Sequence, residues 1–407
     1  MVRLVCFEWR KHFLKRSIII AMLLFSVLNI AKVYSIHEES SLLANPGWKD
    51  LYWKEWADFG GAITNKRIEK LMNIYLPLEQ LTADHTASTK YRTPDTYLSN
   101  VYEDWNFFRL NYVDPMKYAY DYKAYAQGVV SAAKENIAFY ESVDNSYERN
   151  KNAVIAKLFE GRSITSFAYT EMYQYYVQYD FSGLLVLLIC LYGLMSVFLH
   201  EKVTEMDILL LTSKAGGKAT IWAKLIASAL FVSSVSFWFW VVDFVSFSII
   251  FDSWDAASSP LFMLVDFIHA ALNVSLWQYA ILSALIKTAG ILVFALAFLF
   301  MSILFRNALI PFIISLFISF ISIYFEEVTM GSGRIWIKVI NPFVLLFNRE
   351  LFRKIEFVSL VGFPLPSYIA ALLLATAWGA LLLGGILIVV RKNTLWKGGG
   401  NRVHLEV

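Results

Sequence analysis

The chain has 407 residues, of which 57% are hydrophobic and only 17% are charged. Soluble domains carry roughly 25% charged residues, so this composition excludes an ordinary soluble domain. Several apolar segments reach or approach the ~20 residues that cross a bilayer as a helix. Because lipid offers the backbone no hydrogen-bond partners, such segments must be helical. The composition predicts an all-α polytopic membrane protein, and the formal net charge of +3 adds little.

The N-terminal residues 1–16 are basic, and Val2, Val5, Trp9 and Phe13 recur at helical spacing opposite the charges. This pattern favours an amphipathic helix lying in the headgroup region. The alternative is a basic flank that only orients the first span.

Residues 17–36 form the first predicted span. A basic segment before an apolar run is also typical of a signal peptide. The end of this run, Lys32-Val-Tyr-Ser-Ile, contains no A-x-A cleavage site, so we expect the segment to be retained.

Residues 37–180 are polar and aromatic, and they are long enough for an independent domain. The apolar spacing at 63–78 and 124–159 predicts a mostly helical, extracellular domain. Tyrosine and tryptophan recur between Tyr91 and Tyr125. We expect a core of aromatic side chains, because aromatic residues dominate ordinary cores. The alternative is a stacking surface for a peptide or a lipid headgroup.

The remaining apolar segments follow the same length rule. The predicted spans cover residues 181–199, 225–250, 279–305, 308–325 and 367–390, and the segments between and after them are 200–224, 251–278, 326–366 and the tail 391–407. Lysine and arginine collect on one side of these spans, which the positive-inside rule places in the cytoplasm. The rule favours six spans with both termini cytoplasmic.

One external segment, 326–366, carries five basic residues against this rule. Its apolar parts, 336–347 and 349–362, are too short and broken to cross a bilayer, and Asn341-Pro342 interrupts the first. We therefore expect re-entrant helices before the sixth span, where irregular backbone is tolerated only against protein or a wet cavity.

The connection between the second and third spans is short and charged. Its acidic residues are Glu201, Glu205 and Asp207, and its basic residues are Lys202, Lys214, Lys218 and Lys224. The candidate coupling residues are Glu201, Glu205, Asp207, Lys214 and Lys218. On a helix, Glu201 and Glu205 lie one turn apart on one face. They form either a solvated face that ends the second span or a complementary surface for a soluble partner, on which charge fixes the register.

The order of these elements resembles the permease subunits of type-2 ABC transporters over essentially the whole chain. The elements that carry the resemblance are the basic segment 3–16, a first span followed by an external domain, the stretch Glu201-x3-Glu205-x3-Leu209-Leu210-Leu211-Thr212-Ser213, Lys224 entering the third span, and Asn341-Pro342 before the sixth. The resemblance implies that residues 200–224 contain a coupling helix and that the N-terminal helix also touches a separate ATPase subunit. It also implies two permease copies, identical or paralogous, in the cell membrane.

The function that the resemblance implies is ATP-driven export of a peptide or amphiphile, such as an antimicrobial peptide. ATP and Mg would bind the partner ATPase. The large external domain is more similar to the sodium-extrusion and bacteriocin-immunity branch of Firmicutes than to compact drug and polysaccharide exporters. A module for antimicrobial-peptide sensing or immunity, and a sodium-extrusion permease, remain as alternatives.

The chain offers no catalytic or metal motif of its own. Gly217-Lys218 resembles the end of the phosphate-binding loop G-x4-G-K-[ST], but Thr212 occupies the first glycine position and Ala219 the hydroxyl position. The six histidines are scattered without a zinc motif. We therefore expect no enzyme activity, no cofactor and no metal in this chain, and no nucleic-acid partner.

Two ionisable residues fall inside predicted spans, Asp243 in the third and Lys287 in the fourth. Charges at such depth are costly and usually face a cavity or a partner. The two side chains either pair with each other, or one of them lines a translocation path, or each lies near the interface with Lys287 extended outwards.

Overall fold

The computed structural model describes residues 1–83, 97–203, 218–305, 307, 309–330 and 335–400. These residues are mostly helical. The helices are α1 (Val2–His12), α2 (Arg16–Glu38), α3 (Ser41–Ala44), α4 (Trp48–Phe59), α5 (Asn65–Ala83), α6 (Val101–Phe108), α7 (Asp114–Ser142), α8 (Ser146–Phe159), α9 (Glu171–Gln178), α10 (Phe181–Val203), α11 (Lys218–Ile250), α12 (Leu276–Leu304), α13 (Leu309–Met330), α14 (Ile335–Ile340), α15 (Arg349–Arg353) and α16 (Ser367–Gly400).

Within the described residues, five helical segments are long and apolar enough to cross a membrane. They are Arg16–Glu38, Glu171–Glu201, Ala219–Ile250, Leu276–Leu304 and Ser367–Val390. The second joins α9 to α10. A sixth apolar helix, Leu309–Phe325, is shorter. The prediction of an all-α polytopic membrane protein is confirmed in this coarse form, and the six-span layout stays a prediction.

The segment between α2 and α9 folds as a helical unit, which we call the inserted domain. Its short two-stranded sheet pairs β1 (Gly61–Ala62) with β2 (Ser166–Phe167). The Tyr112 ring stacks on Tyr52 at 5.2 Å between centroids, and its hydroxyl donates to the Tyr52 carbonyl at 2.6 Å. The core of the domain is therefore built largely from buried aromatic side chains, as the sequence predicted.

The inserted domain is fixed to the helix bundle by the loop that joins α11 to α12. In that loop, the ring of Phe262 stacks on Tyr122 at 4.7 Å, and its carbonyl accepts a hydrogen bond from Tyr118 at 2.7 Å. The buried Arg162 guanidinium donates to the carbonyl of Ala270 at 3.0 Å. One hydrophobic core thus runs from the inserted domain into the half of the helix bundle that is predicted to be external.

The segment before α16 is more irregular than the sequence predicted. A 3-10 helix, Pro342–Leu345, separates α14 from α15, and a hairpin of β3 (Phe357–Leu360) and β4 (Phe363–Pro366) follows. The sequence predicted re-entrant helices here, and the hairpin was not predicted. Whether this segment dips into the bilayer stays a prediction.

Candidate functional site

A cluster of five ionisable side chains joins three helices at the end of the bundle where α1 lies. We call it the ion cluster, and its members are Glu8, Lys11, His12, Glu201 and Lys224. The Glu8 and Lys224 residues are only 3% and 2% exposed. Charges are almost never this buried unless they are paired, so the contacts within the cluster decide whether the three helices hold together here.

Lys224 is the centre of the ion cluster. Its ammonium lies 2.8 Å from Glu8 Oε2 and 2.6 Å from Glu201 Oε1. Lys11 contacts the same Glu201 oxygen at 2.7 Å. His12 Nε2 lies 3.2 Å from Glu8 Oε2. Two carboxylates and two ammonium groups therefore compensate one another.

The local sequence explains how these side chains meet. Glu8, Lys11 and His12 are three and four residues apart, so they share one face of α1. Glu201 lies in the last turn of α10, and Lys224 lies in the second turn of α11. Aromatic packing fixes the angle of α1, because the ring of Phe13 stacks on Phe231 at 4.2 Å. The face of α1 that carries Glu8 and His12 is therefore buried against the bundle.

The surroundings perturb both Glu8 and His12. Burial acts to raise the pKa of the Glu8 carboxyl, but the close approach of His12 and the charge of Lys224 outweigh burial and lower that pKa to about 2. Burial lowers the pKa of His12 below 6.5, and the charge of Lys224 acts in the same direction against the contact with Glu8. At neutral pH, Glu8 is a carboxylate and the neutral form of His12 is favoured.

Three members of the ion cluster have the spacing of metal ligands. Glu8, His12 and Glu201 each bring one ligand atom to within 4.8 Å of the others. The Lys224 ammonium lies on both carboxylates, so the protein itself supplies the positive charge at this place. The arrangement is better suited to joining helices than to holding a cation.

The ion cluster lies at both ends of the connection predicted to couple to an ATPase. Of the residues predicted there, Glu201 belongs to the ion cluster. Glu205, Asp207 and Lys214 lie outside the described residues, as does the side chain of Lys218. The contacts of Lys224 with Glu8 and Glu201 join α1, α10 and α11 beside this connection.

A second polar group lies within the apolar helices, around Asp243. Its carboxylate accepts hydrogen bonds from Asn29 of α2 at 2.6 Å and from Ser182 of α10 at 2.5 Å. Asn29 in turn accepts a hydrogen bond from the Tyr179 hydroxyl at 2.7 Å. This buried network links α2, α10 and α11 across the predicted membrane interior.

Lys287 pairs with Asp180, whereas the sequence suggested a pair with Asp243. Its ammonium contacts Asp180 at 3.1 Å and the Tyr179 carbonyl at 3.0 Å, and Arg349 lies 3.3 Å from the other Asp180 oxygen. Asp243 and Lys287 line one small cavity together. They are neighbours across that cavity and not an ion pair.

Asn341-Pro342, in the segment predicted to be re-entrant, joins two elements of the structure. The Asn341 side chain accepts from the Phe343 amide at 3.1 Å and donates to the Ser322 carbonyl of α13 at 2.8 Å. It therefore caps the 3-10 helix and ties it to the fifth predicted span.

Sequence reasoning missed Glu8, Asn29 and Ser182. Glu8 is the one acidic residue among the first 16, and Asn29 is the one amide in the first span. Glu8 therefore differs in charge, and Asn29 in polarity, from the segment around it. This difference was the signal that could have pointed to them. No spacing rule names their partners, which lie 216 and 214 residues away.

Comparison with known proteins adds no relative to this description. No protein-family model matches the chain. No curated protein and no solved structure matches it either.

Proposed function

We propose that this chain is the permease subunit of an ATP-driven exporter of the type-2 ABC class, located in the cell membrane with both termini in the cytoplasm. In this proposal the chain has six spans, and the segment before α16 is re-entrant. A separate subunit binds ATP and Mg and supplies the energy. The substrate class is a peptide or an amphiphile.

The ion cluster is the observation that carries the proposal. A permease without a nucleotide site must receive movement from outside through its cytoplasmic surface. Lys224 meets this requirement, because its two carboxylate contacts join α1, α10 and α11. In the sequence, Glu201 precedes residues 204–217 and Lys224 follows them. Because Glu8 and Lys224 are buried, a shift that left either charge buried without its partner would be costly. The three helices would therefore transmit a push as one body.

A second copy of the chain is part of the proposal. The apolar helix α2 has a largely uncovered face, with Ile20, Leu23 and Val27 each more than half exposed. Phe317 and Phe320 of α13 are exposed to a similar degree. Such faces are available to lipid or to a partner permease, and two halves rocking against each other would give alternating access.

Sodium extrusion has less support. Both oxygens of Asp243 already accept hydrogen bonds, from Asn29 and Ser182. The Lys287 ammonium lines the same cavity and would repel a second cation. A sensing or immunity module is the second candidate, because the inserted domain contains an open groove between α5 and α7.

The test is co-purification with an ABC ATPase encoded beside this chain. We expect the two subunits to co-purify and the reconstituted complex to hydrolyse ATP. The double charge reversal Glu205→Lys/Asp207→Lys should weaken the complex at least about tenfold, since charge complementarity sets partner register and suppresses wrong partners. A circular-dichroism spectrum equal to that of the wild type checks that the fold of the permease is unchanged.

A matched control reverses two acidic residues of the inserted domain, Glu135→Lys and Glu141→Lys. This control should leave the complex intact. ATP hydrolysis by the purified chain alone, or equal ATPase binding by both double variants, would overturn the proposal.

A further inference from the structure

The inserted domain contains an open groove between α5 and the start of α7. The groove has a cavity volume of about 690 Å³, compared with about 50 Å³ for the cavity beside Asp243. Pockets for drug-sized ligands enclose roughly 300–1,000 Å³. The groove is therefore large enough for a stretch of polypeptide.

The floor of the groove is apolar and adaptable. Ile68 and Met72 of α5 line it on one side, and Val113 and Met116 line it on the other. Tyr120, which is 61% exposed, lies one turn further along α7. Methionine side chains conform to varied apolar partners. A floor of this kind suits a flexible apolar partner whose sequence is not fixed.

Two departures from regular helix lie beside the groove. Pro77 lies inside α5, where it removes a backbone hydrogen bond. A π-helical turn, Arg109–Val113, joins α6 to α7 and lines the opposite wall through Val113. Such π-turns are rare and frequently occur at functional sites.

The charges lining the groove are mostly negative. Three carboxylates, of Glu69, Glu79 and Asp114, line the groove together with a single ammonium, that of Lys117. The Tyr75 hydroxyl donates to Glu79 at 3.1 Å. Burial raises the pKa of the Tyr75 hydroxyl, and the charges of Glu79 and Asp114 act in the same direction. Both carboxylates therefore influence the same hydroxyl group. An acidic rim over an apolar floor is complementary to a cationic amphipathic chain.

We propose that this groove binds a cationic amphipathic peptide segment, with its apolar side on the floor and its lysine or arginine side chains on the acidic rim. This is the helix-in-groove mode of peptide recognition. The inference rests on the proposed function, because it names the class of peptide that the proposed exporter would carry.

The binding test uses the full chain in nanodiscs of neutral phosphatidylcholine. The probe is a fluorescent synthetic peptide with lysine on one helical face and leucine on the other. A second peptide with glutamate in place of lysine serves as the charge control, and empty nanodiscs give the lipid background. We expect binding of the lysine peptide above that background and no binding of the glutamate peptide.

The key variant removes the acidic rim with Glu69→Gln, Glu79→Gln and Asp114→Asn. Three exposed charge contacts together should raise the Kd of the lysine peptide about tenfold. A control triple variant, Glu135→Gln, Glu141→Gln and Glu160→Gln, changes the net charge of the domain equally, away from the groove. It should leave the Kd within about twofold.

A second variant tests the floor. Ile68→Ser with Tyr120→Ser changes side chains outside the buried core and should also raise the Kd about tenfold, with an unchanged circular-dichroism spectrum. Equal loss of affinity in the rim variant and its charge control would overturn the groove. Binding to empty nanodiscs as strong as to the chain would overturn it too, because the lipid would then be the receptor.

The two proposals fail separately. Peptide binding lost in the rim variant, without any ATPase that couples to the chain, would keep the groove and overturn the exporter. Peptide-stimulated ATP hydrolysis that is identical in wild type and rim variant would keep the exporter and overturn the groove.

Discussion

The Lys224 ammonium lies 2.6 Å from Glu201 Oε1, and this contact joins the last turn of α10 to the second turn of α11. Because the same ammonium also contacts Glu8, the N-terminal helix is tied to this junction. A movement of any one of the three helices must therefore either carry the other two or break a buried ion pair.

Replacing Lys224 with methionine should destabilise the protein by about 3 kcal/mol, because breaking a buried pair leaves charge uncompensated. The matched control is Lys70→Met. Lys70 contacts Asp58 at 2.7 Å, but both side chains are half exposed. A surface pair contributes ~0–1 kcal/mol, so this control should change little. The free energy of unfolding in detergent measures both effects.

A further variant separates charge from packing. Adding Glu8→Gln and Glu201→Gln to Lys224→Met should recover part of the lost stability, since a neutral cluster no longer contains an unpaired ion. If the single and triple variants are equally unstable, the loss comes from packing and the ion cluster does not hold the helices together.

Acidification should weaken the junction in two steps. The pKa of His12 is lowered from 6.5 by burial, so the unfolded chain takes up this proton first and stability falls as pH drops below 6.5. The folded pKa of Glu8 is about 2 against an ordinary 4.5, so its contribution is present above 4.5 and is lost between 4.5 and 2. His12→Gln should reduce the loss between pH 6.5 and 4.5. The thermal midpoint across pH measures this, and an unchanged slope would contradict the prediction.

The intramembrane network should make a smaller contribution. Asn29→Leu removes the hydrogen bonds to Asp243 and from Tyr179, and buried polar contacts between membrane helices contribute about 0.6 kcal/mol on average and about 1.7 at most. We expect a loss of about 1–2 kcal/mol in a denaturant titration. The control Ser248→Ala removes a hydroxyl that bonds only the Phe244 carbonyl of its own helix. A larger loss in the control would show that the network does not link the helices.

Gly290 should be intolerant of a methyl group. A Cβ at this position would lie 2.7 Å from Leu346 Cδ1 and 2.9 Å from Leu345 Cβ, so α12 packs directly on the segment before the sixth predicted span. Overpacking of this kind costs roughly 1–3 kcal/mol, and we expect Gly290→Ala to fall in this range. Gly384 has no neighbour within 4 Å of its added Cβ, so Gly384→Ala is the control. Equal stability of the two variants would show that the close packing is absent.

Apolar length predicted the coarse fold because a bilayer imposes a minimum length on a spanning helix. This rule located the helices now seen at Arg16–Glu38, Ala219–Ile250 and Leu276–Leu304. The aromatic core of the inserted domain was predictable from composition too, since aromatic residues are the majority of its buried side chains. Both inferences depend on composition within one segment.

Contacts between distant segments were not predictable in this way. Glu201 was identified from its local pattern, but its partner Lys224 was known only as an element of a family resemblance and Glu8 not at all. The hairpin Phe357–Pro366 was also missed, because Val361-Gly362 is not a common turn pair and Val361 adopts a left-handed φ of 51°. Long-range pairing and turns of this type leave weak signals in a single sequence.

The separation of Glu8 from Lys224 has a consequence for biosynthesis. The carboxylate is made 216 residues before the ammonium that neutralises it. Until the ribosome has delivered the third apolar helix, the N-terminal helix cannot settle into its final place without burying a lone negative charge. We therefore expect α1 to dock late in assembly, after α2, α10 and α11 have come together.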